Sequence, residues 1–437
     1  MRLPFHTSGL RLRIVHICHS FRRQPLKNAL LLSLLNQVIS SGSNFAVGVY
    51  LARTLPLREY GIYGICYGIC MLYVGVGNAI ILTQMLVTMA EVEAEQQTAY
   101  ASRMLQSVLI LGVLTLLLVG LTLLLAFLLD PGLADYFPTV CAVALMAILF
   151  LCKEFFIRYA YIMRVERLAV WVSGLAVAIL AAGLAIERAA GIPLTVIHVL
   201  LLSGAGMAIS AVIGYRYSPL TIPPGLRASL LDFGQSWQQG RWALGGVAVS
   251  WVQSQTYTYV LAALLGPTGV GQANAARIFV SPFSFLLPAV NQIAMPRMAD
   301  LRQAHPHQLI RLVLLFTVGL LLLAIAYSFV LLQSLSVVAD LVLGRHDPGV
   351  QSLVWIWCVV VCNQMILNGG SAMLQVLRRF RILTLLSAAS AMAAVVSALI
   401  LVRLVGPPGA IWAVAVGEVL LSFLVWREIR RDHGHTG

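Results

Sequence analysis

Charged side chains are scarce in this chain: Asp, Glu, Lys and Arg make up 10% of its 437 residues, against 60% hydrophobic. A soluble domain carries about 25% charged residues, so most of the outer surface here has to face lipid. Acidic residues are fewest, 16 against 29 basic. No stretch is polar enough and long enough to form a soluble catalytic domain. The phosphate-cradling pattern G-x-x-x-x-G-K-[ST] is absent, which removes the P-loop route to ATP. Cysteine is sparse and odd in number: Cys18, Cys66, Cys70, Cys141, Cys152, Cys358 and Cys362. Most lie in apolar runs, where a cysteine acts as a small hydrophobe. The Cys66/Cys70 and Cys358/Cys362 pairs have helical spacing but no nearby His or carboxylate to complete a metal site. Neither a disulfide, a metal nor any other cofactor is expected.

What the chain has is apolar runs of bilayer-crossing length. They predict an all-α polytopic membrane protein with about 12 transmembrane helices. The expected spans are 28–51, 61–88, 104–129, 139–162, 169–187 and 192–214, then 242–265, 272–295, 312–333, 351–376, 383–404 and 408–426. Residues 1–27 form a basic tail that does not read as a cleavable signal peptide. Cytoplasmic segments retain Lys and Arg. With the N-terminus inside, 23 of the 29 basic residues fall inside, and Arg53, Arg58, Arg188, Arg345 and Arg403 fall outside. Both termini, including the tail 427–437, are therefore expected in the cytoplasm. The net charge of +13 is spread over separate inside segments, which fits topology and anionic head groups rather than nucleic acid.

A shift of 210 residues aligns Ser40, Leu51-Ala52, Leu55, Gly61 and Met85 with Ser250, Leu261-Ala262, Leu265, Gly271 and Met295. The expected organisation is thus two six-helix lobes around a central cavity, 28–214 and 242–426, joined by the cytoplasmic loop 215–241. Halves with an even number of spans share orientation, an arrangement suited to alternating access.

Polar groups inside a bilayer are costly and usually face the interior or a water-filled cavity. Span one carries Asn36, Gln37, Ser40, Ser43 and Asn44; span seven carries Ser250, Gln253, Ser254 and Tyr257. Span eight carries Asn274, Arg277, Ser281, Ser284 and Asn291, and span ten has Gln364, Asn368, Ser371 and Gln375 on one helical face. The serines fit helix-to-helix glue as well as they fit a ligand. Uncharged amides and tyrosines suit sugar hydroxyls, because they donate and accept without a counter-charge. Arg277 needs either an anionic ligand, for which its planar fork matches a phosphate, or an ion pair with Glu418 in span twelve. Glu418 is a proton or ion-coupling site, that partner, or a residue snorkelling to the interface. Lys153, Glu154 and Arg158, near the inner end of span four, fit local ion pairing. The glycines of span two, Gly61, Gly64, Gly68, Gly75 and Gly77, serve close packing or a hinge.

The stretch 39–64, ISSGSNFAVGVYLARTLPLREYGIYG, resembles the first two spans of bacterial oligosaccharide flippases of the polysaccharide transporter type. Their superfamily also holds the lipid II flippases and the multidrug and toxin extrusion antiporters. The segment 291–300, NQIAMPRMAD, is similar to the end of span eight in the same group. The resemblance implies a multi-pass protein of the bacterial inner membrane. It would move a polyprenyl-pyrophosphate-linked oligosaccharide from the cytoplasmic to the outer face, beside the polymerase and glycosyltransferases of exopolysaccharide or O-antigen synthesis. It also implies a cavity lined by spans one, two, seven and eight, where basic residues meet the pyrophosphate; Arg277 matches such a position in span eight, and Arg53 sits at the end of span one. Two departures stand out. Spans one, two and seven hold no interior arginine, unlike the lipid II branch, and span one has no acidic residue, unlike many of the antiporters.

Expected site residues are therefore Arg277, Asn274, Asn44, Asn36, Gln253, Tyr257, Gln364, Asn368 and Arg53 for substrate, and Glu418 for ion coupling. The competing readings are an ion-coupled drug or metabolite exporter, a glycan polymerase and a transport-inactive scaffold. A polymerase needs a large outer loop; the longest here, 334–350, offers only Arg345 and His346. A major-facilitator transporter calls for a basic loop after span two, and this one, EVEAEQQTAYASR, is acidic.

Overall fold

The structure, a computed structural model, describes residues 26–434 apart from Ala90, Pro224, His305, Arg345 and His346. The expected basic tail up to residue 25, Cys18 and the outer-loop candidates Arg345 and His346 lie outside the described residues. The rest is helical, because a backbone in hydrocarbon has to satisfy its own N–H and C=O groups.

The first half holds α1 (Leu26–Thr54), α2 (Leu57–Met89), α3 (Gln97–Leu129), α4 (Phe137–Ile162), α5 (Glu166–Ala189) and α6 (Val196–Arg216). A helix then runs Arg227–Ile278, broken at Gly266, whose φ of 75° and ψ of −179° are not helical. Tyr257 and Asn274 hydrogen-bond at 2.7 Å, yet 17 residues of straight helix would hold them about 25 Å apart. The chain therefore doubles back at Gly266-Pro267, giving α7 (227–265) and α8 (267–278). After these come α9 (Pro282–Ala304), α10 (Pro306–Gln333), α11 (Leu335–Leu343), α12 (Pro348–Val376), α13 (Phe380–Val405) and α14 (Pro407–Gly434). Counting α8 and α9 as one broken span and setting aside the short α11, twelve helices have bilayer-crossing length. Nine of the described helices are also apolar enough to cross unaided, ten if the bent stretch of 243–278 with 282–302 counts as one span.

Local chemistry sets several boundaries. Asp130-Pro131-Gly132 and Asp347-Pro348-Gly349 each start a helix, the first a short 3-10 turn, with proline in the first turn and the Asp carboxylate accepting from Gly132 N (2.9 Å) or Val350 N (3.1 Å). Within α2 the residues Asn78–Leu82 form a π-helical turn, and the Gln84 amide donates to the Ala79 carbonyl that this turn releases (3.3 Å). Helix α7 begins at Arg227, well before the apolar run at 242. Ser229, Ser236 and Gly240 give its first part a small, buried face, while Leu230, Leu231 and Trp237 are exposed.

The described residues divide into two compact units, one of residues 26–44 and 66–247, the other of 45–65 and 248–434. In the first, α4 packs against α3, α5 and α6 around Met85, Met104, Leu151, Phe155 and Val172. The segment 221–232 is tied to α3: Arg103 pairs with Asp232, Ser229 donates to Gln106, and Thr221 N donates to Ser102 Oγ at 3.2 Å. Lys153 and Glu154 pair at 3.1 Å. In the second unit, α14 packs against α12 and α13, and α10 against α12, over Met298, Val313, Met373 and Val425. There α2 and α8 meet backbone to backbone. A Cβ on Gly61 would lie 1.8 Å from the Pro267 carbonyl oxygen, and one on Gly271 would lie 2.0 Å from that of Leu57. That is the close-packing reading of the span-two glycines. The leucines and valines of α3 from Val113 to Leu129 are mostly exposed, as a lipid-facing helix requires.

Candidate functional site

The second unit holds a partly open cavity of about 170 Å³ lined by Ser250, Gln253, Ser254, Tyr257, Arg277, Trp357, Gln364, Val414 and Glu418. Four helices supply it. Helix α7 gives the first four residues, at spacings that repeat on one face, and α8 gives Arg277. Helix α12 gives Trp357 and Gln364, two turns apart, and α14 gives Val414 and Glu418, one turn apart.

Arg277 is fixed from two sides. Its Nη1 donates to the Tyr257 hydroxyl at 3.0 Å, and that hydroxyl donates to Asn274 Oδ1 at 2.7 Å. The guanidinium carbon lies 5.4 Å from the Trp357 ring centre and 5.7 Å from that of Tyr257, within cation–π range. The two rings meet edge-on at 5.4 Å, and Trp357 Nε1 donates to the Ala273 carbonyl at 3.1 Å. Asn274 sits against α2, where a Cβ on Gly64 would lie 2.2 Å from its Nδ2. Only one of the five guanidinium N–H donors is used by this relay, and among the described residues Arg277 forms no ion pair.

The carboxylate lies on the same cavity without closing that ion pair. Glu418 is 9% exposed; its Oε1 accepts from Gln364 Nε2 at 2.8 Å, and among the described residues its buried Oε2 has no hydrogen-bond partner. Gln253 Nε2 reaches Ser390 at 3.4 Å, and Ser390 donates to the Gly417 carbonyl at 2.7 Å. The cavity thus presents one cation with spare donors, one carboxylate with a spare acceptor, and neutral amides and hydroxyls between them.

The remaining expected residues lie elsewhere. Asn368 forms a reciprocal amide pair with Asn291, 2.9 and 3.1 Å, a structural tie between α12 and α9. Ser281 and Ser284 bond to backbone carbonyls of their own segment. Arg53 donates to the Leu341 carbonyl at 3.4 Å beside Gly344. Asn36 and Asn44 belong to the first unit: Asn36 is buried beside the Tyr161 hydroxyl, and Asn44 is exposed. Trp357 and Val414 line the cavity and were absent from the expectation. Trp357 lies seven residues before Gln364 on the polar face of its span, so extending that face by two turns finds it.

No family model and no curated protein match this chain. Solved structures do. A lipid II flippase MurJ in an inward closed conformation superposes with a TM-score of 0.69 at 10% identity, over 92% of this chain and 87% of its own. An inward-facing multidrug resistance MATE transporter of the MOP superfamily gives 0.65 at 16% identity, over 93% and 98%. A MOP superfamily transporter from Pyrococcus furiosus gives 0.57 at 15%, over 98% of each chain. These likenesses show the fold. It is the twelve-helix, two-lobe fold that these proteins share, and all three are transporters or flippases rather than enzymes.

Proposed function

We propose that this protein moves a polyprenyl-pyrophosphate-linked oligosaccharide from the cytoplasmic to the outer face of a bacterial inner membrane by alternating access. In this reading residues 28–214 and 242–426 act as the two lobes, both termini are cytoplasmic, and a polysaccharide polymerase and glycosyltransferases work alongside. The observation that carries it is Arg277: a guanidinium held by Tyr257 and Trp357, with spare donors turned to a cavity in the membrane-spanning part. An anion is the ligand that such donors select. At about 170 Å³ the cavity suits the phosphate head of such a substrate rather than its whole glycan. Outward movement of a negative charge gains about 2.3 kcal/mol per 100 mV of membrane potential, so no nucleotide is needed.

The test is the sidedness of lipid-linked oligosaccharide in a deletion strain complemented with wild type or Arg277→Ala. Glycan trapped on the inner face, released by wild type and not by the variant, supports the proposal. Glycan that reaches the outer face normally but stays unpolymerised refutes it and favours a polymerase or scaffold. Glu418 favours a second reading, an ion-coupled exporter of drugs or metabolites, since a carboxylate also selects a cation. Export of cationic dyes that survives Arg277→Ala and is lost in Glu418→Gln would establish that alternative.

A further inference from the structure

Two groups of opposite sign face one small cavity in the second unit without forming an ion pair. Glu418 is nine-tenths buried, keeps one oxygen for Gln364 and, among the described residues, leaves the other without a hydrogen-bond partner. Its surroundings supply few charges. From α8 comes Arg277; from α7 Tyr257, with Gln253, Ser250 and Ser254; from α12 Gln364 and Trp357. Helix α13 contributes Ser390, which is committed to the Gly417 carbonyl, and α2 contributes Tyr60 near Tyr257 and Arg277. An anion arriving at Arg277 therefore meets one competing negative charge, the Glu418 carboxylate, in a space of about 170 Å³. Two anions sharing a poorly solvated cavity repel strongly, and the titratable one is neutralised first.

We infer that Glu418 is a proton site linked to the anion site at Arg277, so that each anion seated on the guanidinium brings one proton onto the Glu418 carboxylate. This rests on the proposal above that Arg277 receives an anion. The proton comes from bulk water and forms an O–H bond at a carboxylate oxygen; no other bond changes. In the empty cavity the carboxylate itself balances the charge of Arg277 at longer range, and Gln364 holds it in place. Linkage makes the two events reciprocal: acid tightens anion binding, and the anion draws a proton in. The charge carried across per anion is then one unit smaller than the anion's own.

The test uses the purified full chain in detergent and inorganic sulfate, whose charge is constant across roughly pH 5 to 9. Titration calorimetry on wild type is expected to show affinity falling as pH rises, by up to about tenfold per pH unit above the Glu418 midpoint. Arg277→Ala should bind no sulfate. Glu418→Gln should bind with no pH dependence, as tightly as wild type in acid. A pH indicator in weak buffer gives a second readout on wild type alone, about one proton taken up per sulfate bound. Sulfate binding that needs Arg277 but is flat with pH, or takes up no proton, overturns the proton site and leaves the anion site standing. Sodium substituting for acid at fixed pH, in wild type and not in Glu418→Gln, replaces the proton with a metal cation and also overturns it. Failure of wild type to bind sulfate at any pH overturns the anion site itself.

Discussion

Replacing Tyr257 by Phe removes one oxygen and leaves the ring. That oxygen is the middle of the relay, accepting from Arg277 at 3.0 Å and donating to Asn274 at 2.7 Å. The edge-on contact with Trp357 at 5.4 Å and the ring face toward the guanidinium survive the change, so apolar packing is unaltered. Tyr257 is 2% exposed, and little water can replace the lost hydroxyl. A hydrogen bond to a charged group contributes about 1.5–3 kcal/mol in soluble proteins and a neutral one about 1 kcal/mol. Interhelical bonds inside membranes are weaker, averaging about 0.6 and reaching about 1.7 kcal/mol. Together these place the loss at about 1–3 kcal/mol. The assay is unfolding in detergent, run as a double-mutant cycle with Asn274→Leu, which preserves the side-chain size beside Gly64. A coupling of about 0.5–1.5 kcal/mol isolates the Tyr257–Asn274 bond. Sulfate affinity should fall about tenfold as the guanidinium loses its anchor, which corresponds to about 1.4 kcal/mol. A variant that unfolds like wild type, with zero coupling to Asn274→Leu, would refute the relay.

Three further outcomes follow from the packing. Gly271→Ala puts a Cβ 2.0 Å from the Leu57 carbonyl oxygen and should lower detergent stability by about 1–3 kcal/mol, whereas Gly120→Ala, with open space around it, should leave the melting temperature unchanged or slightly higher. Asn291→Leu and Asn368→Leu should each destabilise by about 1 kcal/mol by stranding the partner amide, and the double variant by less than their sum, read in the same melt. For the proposed orientation, Asp135→Cys should react with a membrane-impermeant maleimide in intact cells, and Arg227→Cys only after permeabilisation.

Helix number, the polar stripes and the place of Arg277 among polar groups within a span were legible in the sequence because lipid penalises polar side chains. Each one tolerated inside a span has a place to be. Spacing then separated the faces: Ser250, Gln253, Ser254 and Tyr257 line the cavity together, as their period implies. Spacing along one helix carries no information on which neighbour a side chain meets. So the amide pair of Asn368 with Asn291 was out of reach, as were the tether of Arg53 to the Leu341 carbonyl and the link from Gln364 to Glu418. Trp357 was hidden because an aromatic in an apolar run looks like ordinary core. The early start of α7 was hidden because Ser229, Ser236 and Gly240 read as loop residues, while their spacing makes a packed helical face.

The reversal at Gly266-Pro267 bears on how the chain enters the bilayer in the first place. Segment by segment, α7 and α8 are poor candidates for insertion. One carries Ser250, Gln253, Ser254 and Tyr257, and the other an arginine, for which the insertion machinery charges about 2.5–3.5 kcal/mol at mid-membrane. As a hairpin made before leaving the translocon, the pair hides its own liabilities. Tyr257 already covers Arg277 and Asn274, and these bonds lie within a single stretch, 257–277. The two arms are best understood as one unit of biogenesis. Lengthening the Gly266 turn should therefore impair membrane integration of this region, detectable by glycosylation mapping, before any effect on the finished protein is felt.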